Sequence, residues 1–186
     1  MNDIDKLKYS YIIVNMVRGL QFGIEENLRA LANKLGTTYP GLRILWILQY
    51  EKQMTITRLS KMGLWDISTT QRIVTNLRKR ELVEINKSKE DSRIRLVSLT
   101  QNGWNLIESA YDYALQMELN PDLVCALEKA MNKYGDDDFR KFIEIGIYMC
   151  TELISEDYVN WVYNVMETSL KRNIKAQGNN NSCGCK

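Results

Sequence analysis

The sequence contains no histidine. Imidazole is the commonest general base and the commonest metal-binding side chain, so Ser-His-Asp and Cys-His catalytic devices are excluded. Proline occurs twice and glycine ten times in 186 residues. That scarcity leaves long helices uninterrupted and argues against a many-turned β architecture. No apolar run reaches the roughly 18–20 residues of a membrane span. The opening MNDIDKLKYS lacks the basic start and apolar core of a signal peptide, and a cytoplasmic chain without membrane contact is expected. Cysteine appears four times. Cys125 and Cys150 fall inside helical patterns and are expected as small buried hydrophobes. Cys183 and Cys185 lie in the polar tail GNNNSCGCK, expected to be disordered. A Cys-x-Cys pair can hold a soft metal or oxidise, but it has no companion ligands here. A P-loop, a glycine-rich dinucleotide turn and a sustained internal repeat are all missing. No catalytic group, metal or cofactor is therefore expected.

What the sequence does have is unevenly placed charge. The net charge is only +2. Between Arg58 and Arg95, however, ten basic residues stand against five acidic ones (Asp66, Glu81, Glu84, Glu90 and Asp91), a local excess of +5. A basic patch on a nearly neutral chain points to a polyanionic partner at one face. A solvated helix face followed by a polar loop would give the same count.

The apolar pattern is predominantly helical. Across residues 5–35, Ile13, Val17, Leu20, Ile24, Leu28, Leu31 and Leu35 recur at spacings of three and four, predicting one long helix ended by Gly36. Pro40 suits the first turn of a second helix carrying Leu42, Leu45, Trp46 and Leu48. Thr55 can cap a short third helix, and Gly63 can end it in a left-handed conformation. A fourth helix begins near Ser68. Ile73, Val74 and Leu77 share one side with Thr70, while Ser68, Arg72, Thr75 and Lys79 form the other, flanked by Gln71 and Asn76. A short helix, a tight turn and a helix striped with hydroxyl, amide and cationic groups is the layout of helix-turn-helix recognition. Residues 82–86 and 94–99 alternate in strand fashion around KSKEDSR, predicting a β-hairpin with a charged tip. Helices are expected from Thr100 through Leu115, from Asn120-Pro121 to Gly135, from Asp136 through Ile147, and over about 157–175. Asp136, Asp137 and Asp138 could form a metal cluster. Helix N-termini favour carboxylates through capping and the macrodipole, and that structural reading is preferred.

The run from Asp91 to Gly103, DSRIRLVSLTQNG, resembles the MarR family wing signature D-x-R-x-x-x-V-x-L-T-x-x-G, with every defined position filled. The preceding stretch from Ser68 to Leu77 is similar to that family's recognition helix. The resemblance covers about residues 10–118. One position departs: Glu81 stands where the family usually has a glycine ending that helix. A narrower likeness, to the Hpr branch that represses protease-production and sporulation genes in bacilli, is carried by ILWI at 44–47, KMGLWDIST at 61–69 and YGDDDF at 134–139.

The resemblance implies a mainly α fold with a small β-hairpin wing (α+β), a winged helix-turn-helix flanked by N- and C-terminal dimerisation helices. Its parts would be a dimerisation helix at 1–36, a DNA-binding domain at 37–103, a C-terminal helical dimerisation region at 104–175 and a disordered tail at 176–186. The implied function is a homodimeric, sequence-specific transcriptional regulator, a repressor, on double-stranded DNA with a pseudo-palindromic operator. Arg72 would pair with guanine, and Gln71 or Asn76 with adenine, in the major groove. Ser68, Thr69 and Thr75 suit phosphates or base edges, and Lys79 suits phosphate. Arg93 would enter the minor groove, with Lys87, Lys89 and Arg95 on the flanking backbone. Asp91 would orient a wing arginine. Many members of that family respond to small molecules, so a small-molecule effector is compatible with the resemblance, but no residue here names one. Two other readings remain at this point: a winged helix used only for protein–protein contact, and a winged helix that serves an enzyme as a dimerisation domain. The second has only about 80 downstream residues, and no cofactor turn, to work with.

Overall fold

Helix α1 (Asp3–Lys34) runs for 32 residues, about 48 Å at the helical rise. It begins at a capping Asn2, whose side chain accepts the Asp5 N–H at 2.8 Å, and it breaks at Gly36, which takes a left-handed φ of 66°. The computed structural model describes residues 2–116 and 122–165 of the chain. After α1 come α2 (Tyr39–Glu51), β1 (Gln53–Met54), α3 (Ile56–Gly63), α4 (Ile67–Lys79), β2 (Val83–Lys87), β3 (Arg95–Leu99), α5 (Gln101–Gln116), α6 (Asp122–Tyr134) and α7 (Asp136–Leu153). Residues 156–165 form a further helical segment, α8. The expected start at Asn120-Pro121, the tail cysteines, Met166 and Leu170 lie outside the described residues.

The three strands form one antiparallel sheet in the order β1-β3-β2. Val83 pairs with Leu99 and Lys87 with Arg95, while Met54 on β1 pairs with Val97. The hairpin sits one residue later at its first strand than the alternation predicted. β1 had no signal at all, because two residues are too few to display a period. The core gathers under this sheet. Ile44, Leu45 and Leu48 of α2, Leu59 and Met62 of α3, and Val74 and Leu77 of α4 pack with Val83, Val97 and Ile107. The product is a mainly helical α+β fold, a winged helix-turn-helix with helices on either side.

Two helix ends differ from expectation. Gly63 is the last helical residue of α3, and the left-handed position belongs to Leu64, at φ 59°. The Trp65 N–H reaches back to the Ser60 carbonyl at 3.0 Å, closing a Schellman turn around Leu64. Gly63 is required for a different reason: a Cβ there would lie 2.3 Å from the Trp65 ring. At the end of α4, Glu81 adopts the left-handed conformation, at φ 56°, that glycine would normally supply. The Leu82 N–H bonds to the Leu77 carbonyl at 3.0 Å and the Glu81 N–H to the Arg78 carbonyl at 2.9 Å. The recognition helix thus makes the same exit as a glycine-capped one.

The long helix leaves most of its apolar stripe short of full burial. Only its C-terminal end is buried, at Leu31 and Ala32, against Leu42 and Ala110. Val17 and Leu20 are 51% and 50% exposed, and Leu7, Tyr11, Val14 and Phe22 are exposed beside them. Cys125 and Cys150 are half-buried rather than fully buried. The aspartates 136–138 occupy the first turn of α7, consistent with the macrodipole, but Gly135 at the cap position offers no side-chain bond. Among the described residues no group of three or more acidic or cysteine side chains could hold a metal ion. Nor is any described helix long and apolar enough to cross a membrane.

Candidate nucleic-acid interface

Helix α4 begins where Asp66 caps it. Its carboxylate accepts the Thr69 N–H at 2.7 Å and the Ser68 hydroxyl at 2.5 Å. Those bonds, the Ser68 hydroxyl foremost and then Thr69, hold the Asp66 carboxyl well below the usual carboxylate range. Helix N-termini are ready-made anion sites, and here the chain's own carboxylate fills that position. Any contact with a polyanion falls instead to the exposed side of the helix. The opposite side is fixed by burial: Thr70, Val74 and Leu77 face the core, and the Thr70 hydroxyl donates to the Asp66 carbonyl at 3.0 Å.

On the outer side, Ser68, Gln71, Arg72, Thr75, Asn76 and Lys79 are all exposed, and Thr69 is half-buried. The stripe read from the sequence is therefore on one solvent-facing surface, with the Ser68 hydroxyl already engaged by Asp66. The turn leading into α4 is held from behind, with the Arg43 guanidinium 5.5 Å from the centre of the Trp65 ring.

β2 packs beside α4 and carries the wing. Lys87, Lys89, Arg93 and Arg95 are exposed. Lys87 and Arg95 stand directly opposite each other across the hairpin. Like charges in that register destabilise a sheet, so the free protein carries a local electrostatic cost that a polyanion would relieve. At the tip, the Asp91 carboxylate accepts the backbone N–H of Arg93 at 2.9 Å, and the Ile94 N–H bonds to the Asp91 carbonyl at 3.0 Å. Asp91 thus shapes the turn that displays Arg93; the bond it makes there is to the main chain rather than to a guanidinium.

The base of the wing explains the rest of the signature. The Thr100 hydroxyl accepts the Gly103 N–H at 3.1 Å and donates to the Glu81 carbonyl. Gly103 lies so close to the Leu82 carbonyl oxygen that a Cβ would sit 2.2 Å from it. The Thr-x-x-Gly spacing therefore locks the start of α5 onto the end of α4. Asp66 is the residue that sequence reasoning passed over. Its signal was present, an acidic residue just ahead of a periodic segment.

A helix-turn-helix with an exposed polar recognition face and a two-stranded cationic wing defines a winged helix-turn-helix protein. Residues 37–94 match the family model described as MarR family. A transcriptional repressor of Pseudomonas putida, IacR, is 31% identical over 83 residues, 45% of this chain and 50% of that protein, so the chain spans about half the length of that relative. The transcriptional regulator Hpr of Geobacillus sp. (strain WCH70) is 25% identical over 93% of this chain and 89% of its own length. Among solved structures, a MarR variant from E. coli complexed with operator DNA superposes with a TM-score of 0.52 at 22% identity, over 72% of this chain and 98% of that one. The chain's likeness to the MarR family rests on this winged-helix segment. The chain's likeness to Hpr regulators extends through the C-terminal helices, beyond the winged helix itself.

Proposed function

We propose that this protein is a DNA-binding regulator of transcription that acts as a repressor, gripping a pseudo-palindromic operator as a homodimer. The observation that carries the reading is the joint cationic surface. The exposed stripe of α4 lies beside a wing whose Lys87 and Arg95 oppose each other at a cost in the free chain. The relatives support it: one carries the name of a repressor, and one structural neighbour holds operator DNA.

The roles follow from side-chain chemistry. Arg72 offers paired donors to guanine, and Gln71 and Asn76 can pair with adenine. Thr69 and Thr75 are short groups for phosphates or base edges. Ser68 would act alongside its bond to Asp66. Lys79 meets phosphate. Arg93 enters the minor groove from a turn shaped by Asp91, and Lys87, Lys89 and Arg95 hold the flanking backbone. The exposed apolar side chains of α1, with Phe142, Ile145 and Tyr148 of α7, are suited to a second copy of the chain. Such a pairing would set two recognition helices about 34 Å apart, matching successive major grooves.

The test is an equilibrium titration of duplex DNA at two salt concentrations. Binding that weakens steeply with salt is expected. Absence of binding to any duplex at low salt, where phosphate contacts are strongest, would contradict the proposal and favour a winged helix used only for protein contacts.

A further inference from the structure

Helix α3 is eight residues long, too short to be stable by itself, and it sets the angle at which the turn delivers α4. Part of its outer side is met by a segment about a hundred positions later. The chain turns a corner at Ile154, between α7 and α8, where the Ser155 hydroxyl accepts the Tyr158 N–H at 3.1 Å and starts α8. From that corner Asp157 accepts a hydrogen bond from the Arg58 guanidinium of α3. One turn further, Trp161 packs against the winged-helix core, Val159 is only 6% exposed, and Tyr158 lies 6.0 Å from Trp161, ring to ring. Between the ion pair and the helix-turn-helix turn the surfaces stand apart around a cleft of about 480 Å³, bordered by Lys61, Leu64, Trp65, Ile154 and Tyr158. The corner thus makes a charged contact with α3 itself and an apolar one with the core that α3 shares.

We infer that the 154–161 corner is a built-in brace on α3, with Trp161 anchoring it and Asp157 registering it on Arg58, so that these C-terminal residues position the recognition helix without touching DNA. An exposed ion pair contributes little by itself, which assigns the holding to the indole and the register to the carboxylate. The Trp161 N–H is buried with no hydrogen-bond partner among the described residues. Its role is therefore packing, and a phenyl ring should substitute for it. The link to duplex recognition rests on the function proposed above, whereas the brace itself does not.

The experiment is hydrogen exchange on the full-length free chain, paired with duplex titration. Amides of α3 and the turn, residues 56–66, should exchange at least tenfold faster in Trp161→Ala and at close to the wild-type rate in Trp161→Phe, with β2 and β3 unchanged. Asp157→Arg places a second cation against Arg58 and should speed the same amides several-fold; adding Arg58→Asp should restore them. If Trp161→Ala fails to fold, the Asp157→Arg variant and its charge swap, on exposed side chains, still decide the matter. Unmoved α3 amides, or a swap that does not restore them, would overturn the brace. For duplex binding, Trp161→Ala should lose at least tenfold for a preferred sequence at an unchanged salt slope, because no phosphate-binding cation is removed. Faster exchange with undiminished binding would overturn the positioning role. If the wild type binds no duplex, the functional reading fails while the exchange result still judges the brace.

Discussion

Glu81 holds a left-handed backbone at φ 56°, which costs an L-residue roughly 1 kcal/mol or more relative to glycine. Glu81→Gly should therefore stabilise the protein by about 1 kcal/mol, read as a higher denaturation midpoint at unchanged slope; a lowered midpoint would refute the strain. The opposite holds at Gly103, where the Cβ of alanine would lie 2.2 Å from the Leu82 carbonyl oxygen. Gly103→Ala should cost about 1–3 kcal/mol or more, measured by the same unfolding curves. The depressed Asp66 carboxyl predicts a pH effect. Its contribution to stability is complete above the ordinary value of 3.8 and is lost as pH falls from there toward the lowered folded value. Asp66→Asn keeps a cap acceptor and removes the titration, so its stability should fall less steeply with acid below about pH 4 than that of the wild type. Identical acid limbs would contradict this. At this scale the sequence was legible as pattern more than as cause. The Thr-x-x-Gly spacing could be read directly, but its reason is a carbonyl distant in sequence. Local statistics suggest a left-handed φ for Gly63, whereas its backbone is helical and a neighbouring indole ring is what requires a glycine there.

Helix α4 was the most legible element, because its two faces separate cleanly at the helical period: Val74 and Leu77 buried, Arg72 and Thr75 exposed. The wing strands were readable to within a residue. β1 was not, since its two residues exist as a strand only through pairing with Val97 and Ser98. Arg72→Ala should cost roughly 1–3 kcal/mol for the preferred sequence and relax specificity there. The wing should behave differently. Lys87→Ser removes one of two opposed cations, so the free protein should be as stable as before or slightly more so, while duplex binding weakens and the salt slope falls by about one. Loss of stability without loss of binding would mean that Lys87 is a structural residue of the hairpin and no part of the interface.

In the whole molecule, the least legible feature was the destination of the long stripe on α1. Periodicity established that the stripe needs a partner surface, and only the family resemblance pointed to a second copy of the chain. The winged-helix core takes only the last turns, at Leu31 and Ala32, and leaves Val17 and Leu20 half exposed. A second copy is the proposed partner, so the pair Val17→Asp and Leu20→Asp should convert a dimer into a monomer in sedimentation equilibrium and weaken duplex binding at least tenfold. A chain already monomeric before substitution would refute the dimer. The central claim is that two such cationic reading heads grip one duplex symmetrically. Selection of bound sequences from a random duplex pool by the purified full-length chain tests it most directly. Enrichment of a pseudo-palindrome is expected, with half-site centres roughly 10–10.5 base pairs apart. Recovery of a pool without enriched sequence, or of a single unpaired half-site, would contradict it.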